Sequence, residues 1–73
     1  MIKIERTKVN SSNIDSIGYD ENNKVLEIEF KSGGVYQYAN VPKDIFVALI
    51  KASSHGNFFH ARIKDKFPTT KVK

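Results

Sequence analysis

A glycine turn between two alternating segments is the feature that most constrains this fold. Within residues 24–39 the large apolar side chains recur at every second position, and charged or polar residues lie between them: Leu26, Ile28, Phe30, Tyr36 and Tyr38. A period of two is typical of a strand with one buried and one exposed face. Two such segments separated by glycines predict a β-hairpin.

The length of the hairpin loop decides which residues form the core, because a slip of one residue sends a whole apolar set to the other face. A two-residue turn would place both tyrosines opposite Glu27 and Glu29. A three-residue loop at 31–33 pairs even positions with even positions, and it suits Gly33 in a left-handed conformation. We therefore predict Leu26, Ile28, Phe30, Tyr36 and Tyr38 on one face, and Val25, Glu27, Glu29, Val35 and Gln37 on the other.

The remaining chain predicts an α+β fold, an antiparallel meander of three strands followed by two helices packed on one face of the sheet. The polar stretch 20–23 joins a strand at 14–19 to the hairpin, and residues 1–8 form a fourth strand or an arm. Gly18, inside the first strand, indicates a bulge or the close approach of another element. Residues 9–68 are expected to form a single domain.

Two helices are expected after the hairpin. Over residues 42–52 the side chains of Ile45, Phe46, Leu49, Ile50 and Ala52 cluster on one side at helical spacing. A second helix is predicted from about Asn57 to Pro68, with Arg62, Lys64 and Lys66 on it. Residues 69–73 are expected to be a frayed basic tail.

Charge is unevenly distributed along the 73 residues. Residues 1–42 carry a net charge of −1 and residues 43–73 carry +5. A polyanion partner is therefore expected at the C-terminal part, where the candidate nucleic-acid-binding residues are Arg62, Lys64, Lys66, Lys71 and Lys73. The chain contains no cysteine, and no apolar run is long enough for a membrane span, so a cytoplasmic location is expected.

Catalytic and metal-binding motifs find little support in this sequence. We expect that the protein is not an enzyme, because its sequence contains neither a strand-to-helix nucleophile turn nor a glycine-rich phosphate loop. His55 and His60 have no cysteine near them, so surface or capping roles are expected and no metal or cofactor is predicted. Tyr36 and Tyr38 could be a stacking platform for RNA bases, but the chosen register places them in the core, which we favour.

An ordered set of residues across most of the chain resembles the KTSC domain family. The positions are Val9, Ser11, Ser12, Ile17, Gly18, Tyr19, Asp20, Leu26, Phe30, Gly33, Tyr36, Gln37, Tyr38, Val41, Pro42, Leu49, Ala52, Ser53, Gly56, Phe58, Phe59, Ile63, Phe67 and Pro68. The central mark is the motif Tyr36-Gln37-Tyr38. The family occurs as a C-terminal domain of some lysyl-tRNA synthetases and as small bacterial and phage proteins.

The resemblance implies RNA as a partner only because the family occurs in a synthetase that acts on tRNA. The resemblance does not indicate which residues would contact RNA. Two functions therefore stay open. One is weak, non-sequence-specific binding of RNA such as tRNA. The other is a protein-interaction module that uses a surface such as Val35, Gln37 and Val47.

Overall fold

The computed structural model describes residues 4–73, and the first three residues of the predicted N-terminal strand or arm lie outside this range. Five antiparallel strands form one sheet in chain order: β1 (Arg6–Lys8), β2 (Ile14–Asp20), β3 (Val25–Phe30), β4 (Val35–Tyr38) and β5 (Thr69–Lys71). Two helices, α1 (Lys43–Lys51) and α2 (His55–Arg62), are inserted between β4 and β5. The predicted α+β fold is confirmed, with more strands than expected.

The central hairpin has the predicted register. Leu26 pairs with Tyr38 and Ile28 with Tyr36, so even positions face even positions. The loop is residues 31–33, because the N–H of Phe30 donates to the Gly34 carbonyl oxygen at 2.9 Å. Gly33 has a φ of +110°, where a side chain would be strained.

The N-terminal part adds two strands to this hairpin. Asp20 accepts hydrogen bonds from the N–H groups of Asn22 and Asn23, which closes the polar turn between β2 and β3. β1 pairs with β2 so that Arg6 lies opposite Gly18. A Cβ at Gly18 would come 2.8 Å from Ile4 Cγ2 and even nearer to the Glu5 carbonyl oxygen. Gly18 therefore permits the close approach that its position in a strand indicated.

The core lies between the helices and one face of the sheet. Ile17, Leu26 and Ile28 contribute from the strands, and α1 contributes Leu49, which is fully buried. Ile45, Phe46 and Ile50 pack against this cluster, as the helical spacing predicted. Pro42 is the N-cap of α1 and Ala52 its C-cap, so the helix occupies nearly the predicted span. Neither helix of residues 4–73 is long and apolar enough to cross a membrane.

The C-terminal part differs from the prediction in two ways. α2 begins at His55 but ends at Arg62, because the N–H groups of Ile63 and Lys64 both donate to the Phe59 carbonyl oxygen and Asp65 then takes a φ of 62°. The predicted helix to Pro68 is therefore too long. The turn redirects the chain, and residues 69–71, expected in a frayed tail, instead form β5 beside β4.

Candidate nucleic-acid interface

The five predicted nucleic-acid-binding cations do not share one helix. Arg62 is the last residue of α2, and its guanidinium carbon lies 5.8 Å from the centre of the Phe58 ring. Lys64 and Lys66 follow α2 in the exposed turn, so their expected place on the helix is wrong. Lys71 is in β5 directly opposite Tyr36. Lys73 lines a groove on the face of the sheet that the helices leave open.

Ion pairing separates the N-terminal cations from the C-terminal ones. Arg6 pairs with Glu27 and Glu29, and Lys8 pairs with Asp15 at 3.5 Å. Among residues 4–73, no such pair involves any of the five predicted cations, Arg62, Lys64, Lys66, Lys71 and Lys73. Their charges are therefore available to an external anion, whereas those of Arg6 and Lys8 are balanced within the sheet.

An aromatic cleft lies at the end of the sheet near the β3–β4 loop. Its floor is the group Phe30, Phe59, Ser32 and Lys64, which is common to two adjoining hollows. The first hollow, about 400 Å³, is completed by Tyr36, Tyr38, Asp65 and Thr69. The second, about 640 Å³, is completed by Ser12, Asn13, Lys31 and His60. We call the first the aromatic hollow and the second the cationic hollow.

The aromatic rings of the cleft hold one another in edge-to-face contacts. The Phe30 ring centre is 5.7 Å from that of Tyr36 and 5.3 Å from that of Phe59, with interplanar angles of 75° and 67°. Tyr38 meets Phe59 in the same way at 5.7 Å. Such contacts fix ring orientations and stabilise each pair by about 0.5–1.5 kcal/mol beyond burial. The rings that line the cleft therefore support one another.

The two motif tyrosines differ in burial. Tyr38 is 4% exposed and belongs to the core cluster, whereas Tyr36 is only half-buried. Burial raises the pKa of the Tyr38 hydroxyl to about 12, and the neighbouring Tyr36 adds to the shift. Tyr38 is thus mainly a core residue, while the Tyr36 ring reaches both the core and the cleft.

The open face of the sheet carries a polar network. Arg6 joins Glu27 and Glu29, its Nε donates to Ser16 Oγ at 3.0 Å, and Gln37 Nε2 donates to Glu27 Oε1 at 2.8 Å. Glu27 is 6% exposed, so its carboxylate needs the hydrogen bonds that these partners donate. The network ties β1, β2, β3 and β4 together.

The expected protein-interaction surface is not continuous. Val35 and Gln37 lie on the open face, and Val35 is only 3% exposed. Val47 is on α1, which packs on the opposite side of the sheet. The sheet therefore separates Val47 from Val35 and Gln37.

The histidines have different surroundings. His55 Nδ1 lies 2.8 Å from the Leu49 carbonyl oxygen, near the end of α1, where an Nδ1–H group donates to that oxygen. His60 is exposed, and its ring meets Phe59 edge to face at 5.5 Å. Within residues 4–73, no three His, Asp or Glu side chains come together as metal ligands would.

The sequence did not predict that Phe30, Lys31 and Phe59 line a cleft. Phe30 was expected on the core face of the hairpin, Lys31 was only part of the loop, and Phe59 was named only among the family positions. Loop length carried a usable signal, because a three-residue loop places Lys31 directly after Phe30 at the end of the sheet. Phe59 could not be placed, since its approach depends on how α2 packs.

Fold and site together define a small α+β domain with an open aromatic cleft on its surface. The sequence profile of the KTSC domain matches residues 10–67. The chain belongs to the KTSC domain family.

A crystal structure of a KTSC domain protein from Yersinia pestis has the same fold. It superposes with a TM-score of 0.94 at 44% identity, and the match covers 97% of this chain and all of that one. An uncharacterised protein of Stutzerimonas stutzeri is 39% identical over 61 residues, which are 84% of this chain and 86% of that protein. A lysine–tRNA ligase of Trichormus variabilis is 40% identical over 60 residues, 82% of this chain but 11% of the ligase.

Proposed function

We propose that this KTSC domain binds RNA weakly and without sequence preference, through the turn after α2 and strand β5. The observation that carries the proposal is the placement of Lys64 and Lys71. Lys64 lines the cleft and Lys71 lies opposite Tyr36, and neither pairs with a carboxylate among the described residues. Cations beside partly exposed aromatic rings are the usual chemistry of sequence-tolerant binding to single-stranded nucleic acid.

Similarity to a segment of lysine–tRNA ligases supports RNA as the polyanion. These ligases act on tRNA by name, and the matching segment is only 11% of the ligase. Such a segment fits an accessory binding module rather than the catalytic body. We accordingly propose a binding protein and not an enzyme, located in the cytoplasm where tRNA is available.

Charge reversal tests this proposal with a matched control. The variant Lys64→Glu with Lys71→Glu changes the formal net charge from +4 to zero, and so does Lys24→Glu with Lys43→Glu. Lys24 and Lys43 belong to the other end of the molecule, since Lys24 follows the β2–β3 turn and Lys43 pairs with Glu21. The first variant should lose binding to mixed tRNA at low salt, while the second keeps most of it.

Equal loss in both variants would mean that net charge alone drives binding, and the proposed surface would be wrong. Both variants should melt close to the original protein, because exposed charges contribute little to stability. The absence of tRNA binding at low salt would contradict RNA binding altogether.

Protein interaction is the second candidate, and one surface favours it. The open-face groove has a volume of about 900 Å³ and contains Ile4, Val35 and Val72, of which Val72 is 46% exposed. An exposed apolar side chain in a groove suits a peptide or protein partner. A substitution of Val72→Asp would weaken such an interaction and leave RNA binding unchanged.

A further inference from the structure

The two hollows of the aromatic cleft differ in chemistry, although they share a floor. The aromatic hollow offers the exposed part of Tyr36, the hydroxyl of Thr69 and the carboxylate of Asp65. The cationic hollow offers Lys31, His60 and the amide of Asn13. Lys64 stands between them, since it lines both. One side therefore presents aromatic side chains with hydrogen-bonding groups, and the other presents positive charge.

A nucleotide has the same division of chemistry. Its base has a π-face and an edge of donors and acceptors, and its phosphate is an anion about one sugar away. The aromatic hollow, at about 400 Å³, is within the range of small-ligand sites. Lys31 and Lys64 are positioned for the phosphate, and no carboxylate of residues 4–73 forms an ion pair with either.

We propose that the cleft binds one unpaired nucleotide of an RNA strand, with its base in the aromatic hollow against Tyr36 and its phosphate in the cationic hollow at Lys31 and Lys64. This inference rests on the proposed RNA binding and gives it a substrate class. Bases of a duplex hide their faces in the stack, so only single-stranded segments can supply the base. Duplex RNA would reach the surrounding lysines alone.

The geometry at Gly34 provides a variant that moves the ring without removing it. A Cβ at Gly34 would lie 2.8 Å from Tyr36 Cε1, so Gly34→Ala displaces the Tyr36 ring. The matched control is Gly33→Ala, because among residues 4–73, its chain neighbours aside, no heavy atom lies within 4 Å of a Cβ there, and only the backbone is strained. Both changes add one methyl group at the same end of the hairpin.

The probe is a short single-stranded oligoribonucleotide with 2-aminopurine at its centre, compared with the same strand in a duplex. Binding to the original protein should quench the fluorescent base, and the single strand should bind at least about tenfold tighter than the duplex. Gly34→Ala should weaken single-strand binding about fivefold or more without changing its salt dependence. Gly33→Ala should retain the original affinity.

Equal binding of single strand and duplex, without quenching, would overturn this inference and leave phosphate-driven RNA binding intact. Loss of all RNA binding would overturn both. Adenosine monophosphate is a further probe. If it binds as tightly as the oligonucleotide, the cleft is a site for free nucleotides instead of RNA.

If Gly34→Ala does not fold, NMR of the original protein tests the inference instead. The Tyr36 ring protons should then shift on titration, and those of Tyr19, which stacks on Phe46 at 4.9 Å, should not.

Discussion

The Tyr36 ring folds back over Gly34, so that a Cβ on Gly34 would meet Tyr36 Cε1 at 2.8 Å. The two glycines at the end of the hairpin, Gly33 in the loop and Gly34 directly after it, are therefore needed for different reasons. Gly33 has a φ of +110°, and Gly34 leaves room for a ring. A methyl group on Gly34 would therefore require the Tyr36 ring to shift.

Gly33→Ala and Gly34→Ala should both destabilise the domain. Gly33→Ala should cost about 1–2 kcal/mol, because it puts a side chain in a left-handed conformation. Gly34→Ala should cost about 1–3 kcal/mol, because it overpacks the contact with the ring. A double-mutant cycle with Tyr36→Ala separates the causes. In the Tyr36→Ala background the Gly34→Ala cost should disappear, because the clashing ring is gone, and the Gly33→Ala cost should remain. Denaturant unfolding measures the cost of each glycine substitution with and without the Tyr36 ring. A Gly34→Ala cost that remains after the ring is removed would contradict this contact.

Tyr38 should matter more for stability than Tyr36. Tyr38→Ala should lower the free energy of unfolding by about 3–5 kcal/mol, as truncation of buried aromatic side chains does. Tyr36→Ala should cost less, since that ring is half-buried. Urea unfolding of the two variants checks the order. The reverse order would show that the cleft ring, not the core ring, anchors β4.

Alkaline pH should destabilise the domain through Tyr38. Its folded pKa is about 12 because burial penalises the charged phenolate, whereas the ordinary value is 10.0. The folded state therefore holds a proton that the unfolded state releases, so stability is present below pH 10 and is lost as the pH rises toward 12. Spectrophotometric titration should show one tyrosine ionising last, and Tyr38→Phe should remove that step. A variant that keeps the late step would assign it to another tyrosine.

Arg6 should contribute to stability through the buried Glu27. Removing the guanidinium in Arg6→Met leaves the Glu27 charge, in a side chain only 8% exposed, with the Gln37 amide as its remaining partner. We expect a loss of up to about 3–5 kcal/mol, partly recovered by adding Glu27→Gln. The control is Lys8→Met, because the Lys8 side chain is 84% exposed and its pair with Asp15 should contribute under about 1 kcal/mol. Thermal unfolding of the three variants measures these differences.

Local patterns in the sequence predicted the hairpin, its register and the inward face of α1, because alternation and helical spacing reflect burial directly. They could not predict β5. Thr69-Thr70-Lys71 has no apolar alternation, and it becomes a strand only because the turn at Asp65 returns the chain to β4. For the same reason Lys64 and Lys71 could be identified as candidate cations, but the place of Lys64 at the aromatic cleft and of Lys71 opposite Tyr36 depends on tertiary packing.

Salt dependence of RNA binding tests the central claim most directly. If about three to five phosphates are neutralised by cations such as Arg62, Lys64, Lys66 and Lys71, the logarithm of the affinity for a single-stranded oligoribonucleotide should fall with the logarithm of salt at a slope of about −2 to −4. The affinity should be micromolar or weaker at physiological salt. Lys64→Glu with Lys71→Glu should remove the binding and its slope. A slope near zero, or binding that survives this charge reversal, would contradict RNA binding at this surface.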